Sequence, residues 1–169
     1  MYTITENIEY KIDGNRNFTF YYPGYNVTRV FVPKHKRNIV YRIDHKSNEL
    51  DLFLDYSIKT YFVEFPDLHF YVIKNSTRTI LCVYTADDNA LFIENVRGDG
   101  LVCLGTRTLE KTGCIDLVNH FFNSIFTHSY LIQEDFVSSL EKGIIRTVGN
   151  TSKSVRFNDF KLILDPKTH

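Results

Sequence analysis

The chain has 169 residues, which is the size of one ordinary domain. Hydrophobic residues make up 43% of it, so a packed core can form without disulfide bonds or a structural metal, and general disorder is excluded. Lys plus Arg and Asp plus Glu both number 20, giving a formal net charge of zero. This balance excludes the broad basic surface that binds nucleic acid or anionic membranes without specificity.

The first residues, the lengths of the apolar runs and the cysteines together predict the cellular compartment. Residues 1–6 have neither a basic start nor an apolar stretch, and no run elsewhere approaches the ~18 apolar residues of a membrane helix. The cysteines, Cys82, Cys103 and Cys114, are odd in number and widely spaced, which favours a reducing compartment over a disulfide framework. We therefore expect a cytoplasmic protein with no nucleic-acid or membrane partner.

The first half of the sequence predicts strands. Short segments rich in β-branched and aromatic residues alternate with turn residues such as Pro23-Gly24. Residues 75–77 are typical of a three-residue hairpin loop between two of these segments. The pattern therefore predicts an antiparallel β-meander, with strands at residues 2–12, 18–22, 27–32, 38–43, 50–54, 68–74 and 78–85.

The pattern changes after residue 85. Residues 86–112 hold only brief apolar pieces among Asp and Gly, and irregular segments of that length in a compact domain are usually functional. Apolar residues then recur at helical spacing and predict a helix over 114–127. A second helix is predicted over 133–142, ending at Gly143. The last apolar run, 160–164, predicts either a strand or a docking arm.

The segment over residues 95–105 is the one suited to chemistry. It reads Asn-Val-Arg-Gly-Asp-Gly-Leu-Val-Cys-Leu-Gly, which joins a polar amide, a glycine turn and a cysteine between apolar residues. The Cys103 thiolate can act as a nucleophile where backbone amides or a cation stabilise it. The side-chain NH2 of Asn95 can donate to a developing oxyanion. These residues predict acyl-transfer chemistry.

The segment over residues 95–105 resembles a known enzyme family. Ubiquitin-conjugating enzymes carry a His-Pro-Asn motif whose Asn lies eight residues before the catalytic cysteine, with a glycine three residues before that cysteine. Asn95, Gly100 and Cys103 keep this spacing. The chain is most similar to the bacterial, plasmid-associated ubiquitin-conjugating-enzyme-like family of the PRTRC system protein B type. That group typically has Phe-Phe-x-Ser-x-Phe-Thr-His downstream, and residues 121–128 read Phe-Phe-Asn-Ser-Ile-Phe-Thr-His.

The resemblance covers residues 68–130 and implies a fold. We expect one ubiquitin-conjugating-like domain over 1–169, an α+β fold in which the antiparallel meander packs against the 114–127 helix. It would comprise N-terminal strands over 1–67, a catalytic-type half over 68–130 and a C-terminal helix and tail over 131–169. The long active-site segment, 86–112, would lie over one edge of the sheet and present Cys103.

The resemblance also implies a mechanism, trans-thioesterification. Cys103 would accept the C-terminal carbonyl of a ubiquitin-like protein from an activating enzyme and then pass it to an amine. The reaction requires no metal or organic cofactor. The implied partners are a ubiquitin-like protein, a ubiquitin-activating-like enzyme and a JAB-type metallopeptidase encoded nearby on a mobile element.

The sequence departs from the standard motif before Asn95. The His and Pro of that motif are Ile93 and Glu94 here. In the bacterial group a histidine after the cysteine is thought to replace the missing one, and His128 occupies the matching position. His120 is the fallback, because it lies eight residues earlier and about 80° around the same predicted helix.

Other interpretations stay open for the same residues. Cys82 and Cys114 are interpreted as core packing. A cysteine peptidase would use Cys103 and His128 as its dyad. A zinc site would need Cys103, Cys114 and both histidines, although the spacing fits no common site. Asp99 either accepts a proton from an attacking amine or shapes the glycine turn. From a different class, the protein would be a non-catalytic conjugating-fold scaffold that binds the ubiquitin-like protein or the activating enzyme.

Overall fold

The structure is a computed structural model that describes residues 11–14, 26–45, 55–74, 79–87, 89–103, 113–127, 130–148, 154–157 and 160–163. Within these residues the protein is mixed α+β with mostly antiparallel sheets, as the sequence predicts. The elements in chain order are β1 (Lys11–Gly14), β2 (Asn26–Val32), β3 (His35–His45), β4 (Asp55–Phe65), β5 (Leu68–Lys74), β6 (Thr79–Thr85), β7 (Ala90–Leu91), α1 (Cys114–Asn123), β8 (Ile125–Phe126), α2 (Gln133–Glu141), β9 (Thr147–Val148), β10 (Ser154–Phe157) and β11 (Phe160–Ile163).

The main sheet has four strands in the order β1-β2-β5-β6, all antiparallel. The strands predicted over 27–32, 68–74 and 78–85 are confirmed to within a residue, and β5 pairs with β6 as the predicted hairpin. The simple meander is wrong, because β2 pairs with β5 and not with β3. Of the strand predicted over 2–12, only residues 11 and 12 are described, and they belong to β1. The strand predicted over 18–22 lies outside the described residues.

β3 and β4, which lie between β2 and β5 in the sequence, form a long hairpin. Together with β8 they make the second sheet, in the order β4-β3-β8. β3 contains the predicted strand over 38–43, whereas β4 was not predicted. Residues 55–60 of β4 are exposed on both faces, so they lack the buried alternation by which a strand is recognised from sequence. The strand predicted over 50–54 lies outside the described residues.

α1 begins at Cys114 as predicted but ends at Asn123, four residues early. Ser124 is extended, with φ −68° and ψ 156°, and β8 then pairs in parallel with Val40 and Tyr41 of β3. The buried Phe126 enters the core from this strand, and the pairing satisfies backbone groups at the β3 edge. The prediction that one helix carries both His120 and His128 is therefore wrong.

The C-terminal elements follow the sequence closely. α2 spans Gln133–Glu141, and Gly143 follows it with φ +72° while its N–H donates to the Leu140 carbonyl at 2.9 Å. The predicted glycine stop is confirmed, because this left-handed conformation favours glycine. Of the two options for 160–164 the strand is confirmed as β11, which pairs with β10. No helix among the described residues is long and apolar enough to cross a membrane.

The two sheets and two helices share one core. α1 packs against both sheets, and α2 packs beside β3 and β4. The core residues are Val30, Val32, Leu68, Phe70, Val72, Leu81 and Val83 from the main sheet, Ile39, Tyr41, Tyr61, Val63, Phe65 and Phe126 from the second sheet, Leu117, Val118, Phe121 and Phe122 from α1, and Phe136 and Leu140 from α2.

At the start of β3 a partly buried histidine packs against α1. The His35 ring stacks on Phe65, its Nδ1–H donates to the Pro33 carbonyl at 2.8 Å, and its Nε2 accepts from Arg37 Nε at 2.8 Å. Burial lowers the pKa of His35, the hydrogen bond to Pro33 opposes this shift, and the charge of Arg37 adds to it. The surroundings of His35 therefore favour its neutral form.

Acidification should destabilise the protein through His35. Because its folded pKa lies below the ordinary value of 6.5, its contribution to stability is complete above pH 6.5 and is lost as pH falls through the folded pKa. We expect the unfolding free energy, from urea titrations between neutral pH and about pH 5, to fall more steeply in wild type than in His35→Gln. Parallel curves for the two proteins would contradict this role.

Candidate thiol site

Residues 95–103 form a tight hairpin, here called the thiol hairpin. The Gly100 N–H donates to the Arg97 carbonyl at 2.8 Å and closes the turn. The Arg97 N–H donates to the Leu101 carbonyl, and the Cys103 N–H donates to the Asn95 carbonyl, both at 2.8 Å. Cys103 therefore has a fixed backbone position at the base of the hairpin, directly beside Asn95.

The thiol hairpin is bonded to the outer edge of the main sheet. The Val83 N–H of β6 donates to the Gly100 carbonyl at 3.0 Å, and the Val102 N–H donates to the Leu81 carbonyl at 2.9 Å. Cys103 is exposed at the end of this added strand. For the described part of the 86–112 segment, the expectation that it lies over one sheet edge and presents Cys103 is confirmed.

Tyr84 and an ion pair hold the turn of the hairpin. The Tyr84 hydroxyl donates to the Asp99 carbonyl, and the phenol ring covers Gly100. Arg97 donates two hydrogen bonds to the Asp99 carboxylate, from Nε to Oδ1 at 2.8 Å and from Nη2 to Oδ2 at 2.5 Å. The same carboxylate accepts the Leu101 N–H at 3.3 Å. These contacts favour the turn-shaping interpretation of Asp99 over a role in proton transfer.

Asn95 joins the thiol hairpin to β8. It is buried with φ 65°, a left-handed conformation that Asn adopts more readily than most residues. Its Nδ2 donates to Ser124 Oγ at 3.4 Å and to the Ile125 carbonyl at 3.1 Å, while its Oδ1 accepts the Thr127 N–H at 3.3 Å. Both hydrogens of the Asn95 amide thus have acceptors within the chain, so donation to an oxyanion requires one of them to be released.

The two histidines predicted for the site differ in position. His120 lies in the last turn of α1 and is partly buried. His128 lies outside the described residues, next to Thr127, which Asn95 binds. The structure thus brings the base of the thiol hairpin to the segment that leads into His128. Among the described residues no group of three or more His, Cys, Asp or Glu could hold a metal ion, so Cys103, Cys114 and His120 do not converge on a zinc site.

Glu94 is a residue whose role the sequence reasoning missed. It is fully buried, and its Oε1 accepts the N–H groups of Tyr130 and Leu131 at 2.8 and 3.1 Å. Where the standard motif has Pro, this chain has a carboxylate that fixes the segment before α2. The available signal was a charged residue directly after the apolar run Leu91-Phe92-Ile93, because a carboxylate that becomes buried there needs a partner.

The three cysteines differ in access to solvent. Cys82 is fully buried in β6, and burial raises the pKa of its thiol well above the ordinary value, so its interpretation as core packing is confirmed. Cys114 begins α1, is partly buried and packs against the core. Cys103 alone of the three is exposed.

Alkylation should separate these thiols. Because a small alkylator needs both access and thiolate, we expect Cys103 to react at least about tenfold faster than Cys82 near neutral pH. Peptide mapping by mass spectrometry after brief iodoacetamide treatment measures both rates, and Cys103→Ser should remove the fast phase. Equal rates at the two positions, in protein shown to be folded, would contradict the exposed position of Cys103.

The chain was also compared with protein-family models, curated proteins and solved structures, and none of the three comparisons gave a match.

Proposed function

We propose that this protein carries a ubiquitin-like protein as a thioester on Cys103 and transfers it to an amine. One observation carries the proposal. Asn95 binds the Cys103 N–H through its carbonyl and the Thr127 N–H through its side chain, so the two segments that resemble the bacterial conjugating family meet at one residue. Two motifs far apart in sequence contribute to the same site, next to an exposed thiol.

The order of elements supports the proposal. The four antiparallel strands of the main sheet precede the thiol hairpin, the hairpin lies on the β6 edge, and α1 follows and packs on the sheet. Apart from the place of β3 and β4, this order agrees with the antiparallel strands, edge segment and helix that the resemblance implies. The β3–β4 hairpin is an addition between the second and third strands of that series.

The proposed reaction has two steps. The Cys103 thiolate attacks the carbonyl of the activating enzyme's thioester, forms a new sulfur–carbon bond and releases the enzyme's thiolate. An amine of the acceptor then attacks the same carbonyl, loses a proton and expels the Cys103 thiolate. Asn95 or His128, with His120 as the fallback, would stabilise the tetrahedral oxyanion, and removing such a donor costs about 2.7 to 4 kcal/mol in other enzymes. No cofactor enters either step.

The proposed setting follows from the same resemblance. The partners would be a ubiquitin-like protein, a ubiquitin-activating-like enzyme and a JAB-type metallopeptidase of the same bacterial mobile element, acting in the cytoplasm. The zero net charge of the chain gives no reason to add a nucleic-acid partner.

A reconstitution tests the proposal. The protein is mixed with the neighbouring activating enzyme, the ubiquitin-like protein and ATP, and intact-protein mass spectrometry detects adducts. We expect a thiol-reducible adduct in wild type and in the matched control Cys114→Ser, and none that is thiol-reducible in Cys103→Ser. If the activating enzyme becomes loaded and no adduct forms on this protein, the carrier function is wrong.

A scaffold without catalysis is the second candidate. It is favoured by the full engagement of the Asn95 amide and by Ile93 and Glu94 in place of His and Pro. A scaffold should bind the ubiquitin-like protein or the activating enzyme equally well as wild type and as Cys103→Ala, measured by calorimetry. Equal binding together with no adduct would select the scaffold.

A further inference from the structure

β4 has an open edge between residues 55 and 62. At its end the edge is occupied: the Glu64 N–H donates to the Gly143 carbonyl at 2.8 Å, and the Ile145 N–H donates to the Glu64 carbonyl at 3.0 Å. Because backbone groups alternate between the two edges of a strand, those of residues 56, 58, 60 and 62 face this same side. Within the described parts of the chain, no other backbone segment pairs with them.

The same residues expose apolar side chains. Tyr56, Ile58 and Phe62 are 53%, 50% and 61% exposed, on the face of the sheet turned away from the core. The pairing of Val40 with Ile125, which is 51% exposed, continues this face across β3 and β8. An open, apolar edge strand is a template for pairing with another strand.

We propose that this edge pairs antiparallel with the β4 edge of a second copy of the chain, with Ser57 opposite Ser57 on a two-fold axis. In this register Tyr56 and Ile58 of the second copy exchange backbone hydrogen bonds. Asp55 lies opposite Lys59 of the second copy, and the symmetry makes this opposite-charge contact twice. The inference is independent of the thiol chemistry.

Charge selects this register from its neighbours. A two-fold axis at Lys59 would pair more residues but would set Lys59 against itself, and like charges directly opposite destabilise a sheet. An axis at Ile58 places Asp55 opposite Tyr61 and Lys59 opposite Ser57, with no opposite-charge contact. The axis at Ser57 is the register of the three that gives each charge an opposite partner.

The Asp55 carboxylate and the Lys59 ammonium can both reach a second copy of the chain. The Asp55 carboxylate accepts the Tyr56 N–H at 3.0 Å, a bond that occupies the edge donor which the second copy would otherwise use. The Lys59 ammonium lies 5.0 Å from the centre of the Tyr61 ring. Both residues are exposed. On dimerisation the carboxylate turns to Lys59 of the second copy, and the Tyr56 N–H takes a carbonyl partner.

Sedimentation equilibrium of the full chain, up to millimolar concentration, tests the dimer. We expect a monomer–dimer equilibrium in wild type. Asp55→Lys leaves only basic groups at both contacts, so the dimer dissociation constant should rise about tenfold. The double variant Asp55→Lys with Lys59→Asp restores opposite charges and should restore the dimer.

The matched control places the same charge change away from the β4 edge. Asp87→Lys makes the same charge change in the exposed turn after β6 and should leave the dissociation constant unchanged. Near-UV circular dichroism must show each variant folded. The proposal is wrong if wild type stays monomeric at every concentration, if it grows without limit beyond the dimer, or if the double variant associates no better than Asp55→Lys.

Discussion

Gly100→Ala should lower the unfolding free energy by about 4 kcal/mol. Gly100 has φ +92°, a conformation that costs a residue with a side chain roughly 1–3 kcal/mol. An added Cβ would also lie 2.3 Å from Tyr84 Cζ and 2.4 Å from Cε1. The phenol cannot simply swing away, because its hydroxyl binds the Asp99 carbonyl and its ring contacts Tyr71. Such overpacking costs about 1–3 kcal/mol more.

Gly98→Ala is the matched control for this turn. A Cβ at Gly98 would meet no atom within 4 Å, so the unfolding free energy should stay within about ±0.5 kcal/mol of wild type. Urea unfolding followed by circular dichroism measures both variants. In a Tyr84→Ala background the cost of Gly100→Ala should shrink, because the collision is gone while the backbone strain stays. An unchanged cost in that background would show that the ring is not the cause.

Asn95→Ala should cost about 3 kcal/mol of unfolding free energy and release β8 from the thiol hairpin. The change removes the bonds to Ser124, to the Ile125 carbonyl and to the Thr127 N–H. Backbone groups left without partners cost about 1–3 kcal/mol, and alanine at φ 65° adds roughly 1–2 kcal/mol. Urea unfolding measures the loss, and hydrogen exchange at the Thr127 amide should accelerate.

Asn95→Gly separates the two contributions. Glycine tolerates the positive φ but makes none of the side-chain bonds, so its cost should be smaller than that of alanine while Thr127 still exchanges faster. If Thr127 keeps its wild-type exchange rate in both variants, pairing with β3 alone holds β8 in place. Under the proposed function, Asn95→Gly should also lower the yield of the Cys103 adduct in the reconstituted reaction, because the thiol hairpin and the segment leading into His128 are no longer tied together.

The position of Asn95 explains why its conformation and its bonds are coupled. Its carbonyl binds the Cys103 N–H, and its side chain binds four groups of residues 124–127. Both sets of bonds are made by this one residue, whose φ is 65°. The backbone of Cys103 is thus held by bonds within the chain, and under the proposed function this would position the nucleophile for acyl transfer.

Local patterns in the sequence determined the elements whose signals lie within them. The β-branched and aromatic runs of β5 and β6, the start of α1 at Cys114 and the glycine stop after α2 were all predicted, because they reflect strand composition, helical spacing and the φ preference of Gly143. The α+β class and the exposed Cys103 at a sheet edge follow from the same signals together with the resemblance.

Tertiary contacts decided the rest. The residues after Asn123 continue a helical apolar pattern, yet they form β8 because the edge of β3 offers hydrogen bonds and a buried place for Phe126. β3 and β4 leave the main sheet because β2 pairs with β5, a choice made by strands 40 residues apart in sequence. Glu94 and Asn95 acquire their roles only from segments that lie 30 to 37 residues later in the sequence. Local sequence reports backbone preference and amphipathicity, whereas these pairings depend on partners that only the folded chain brings together.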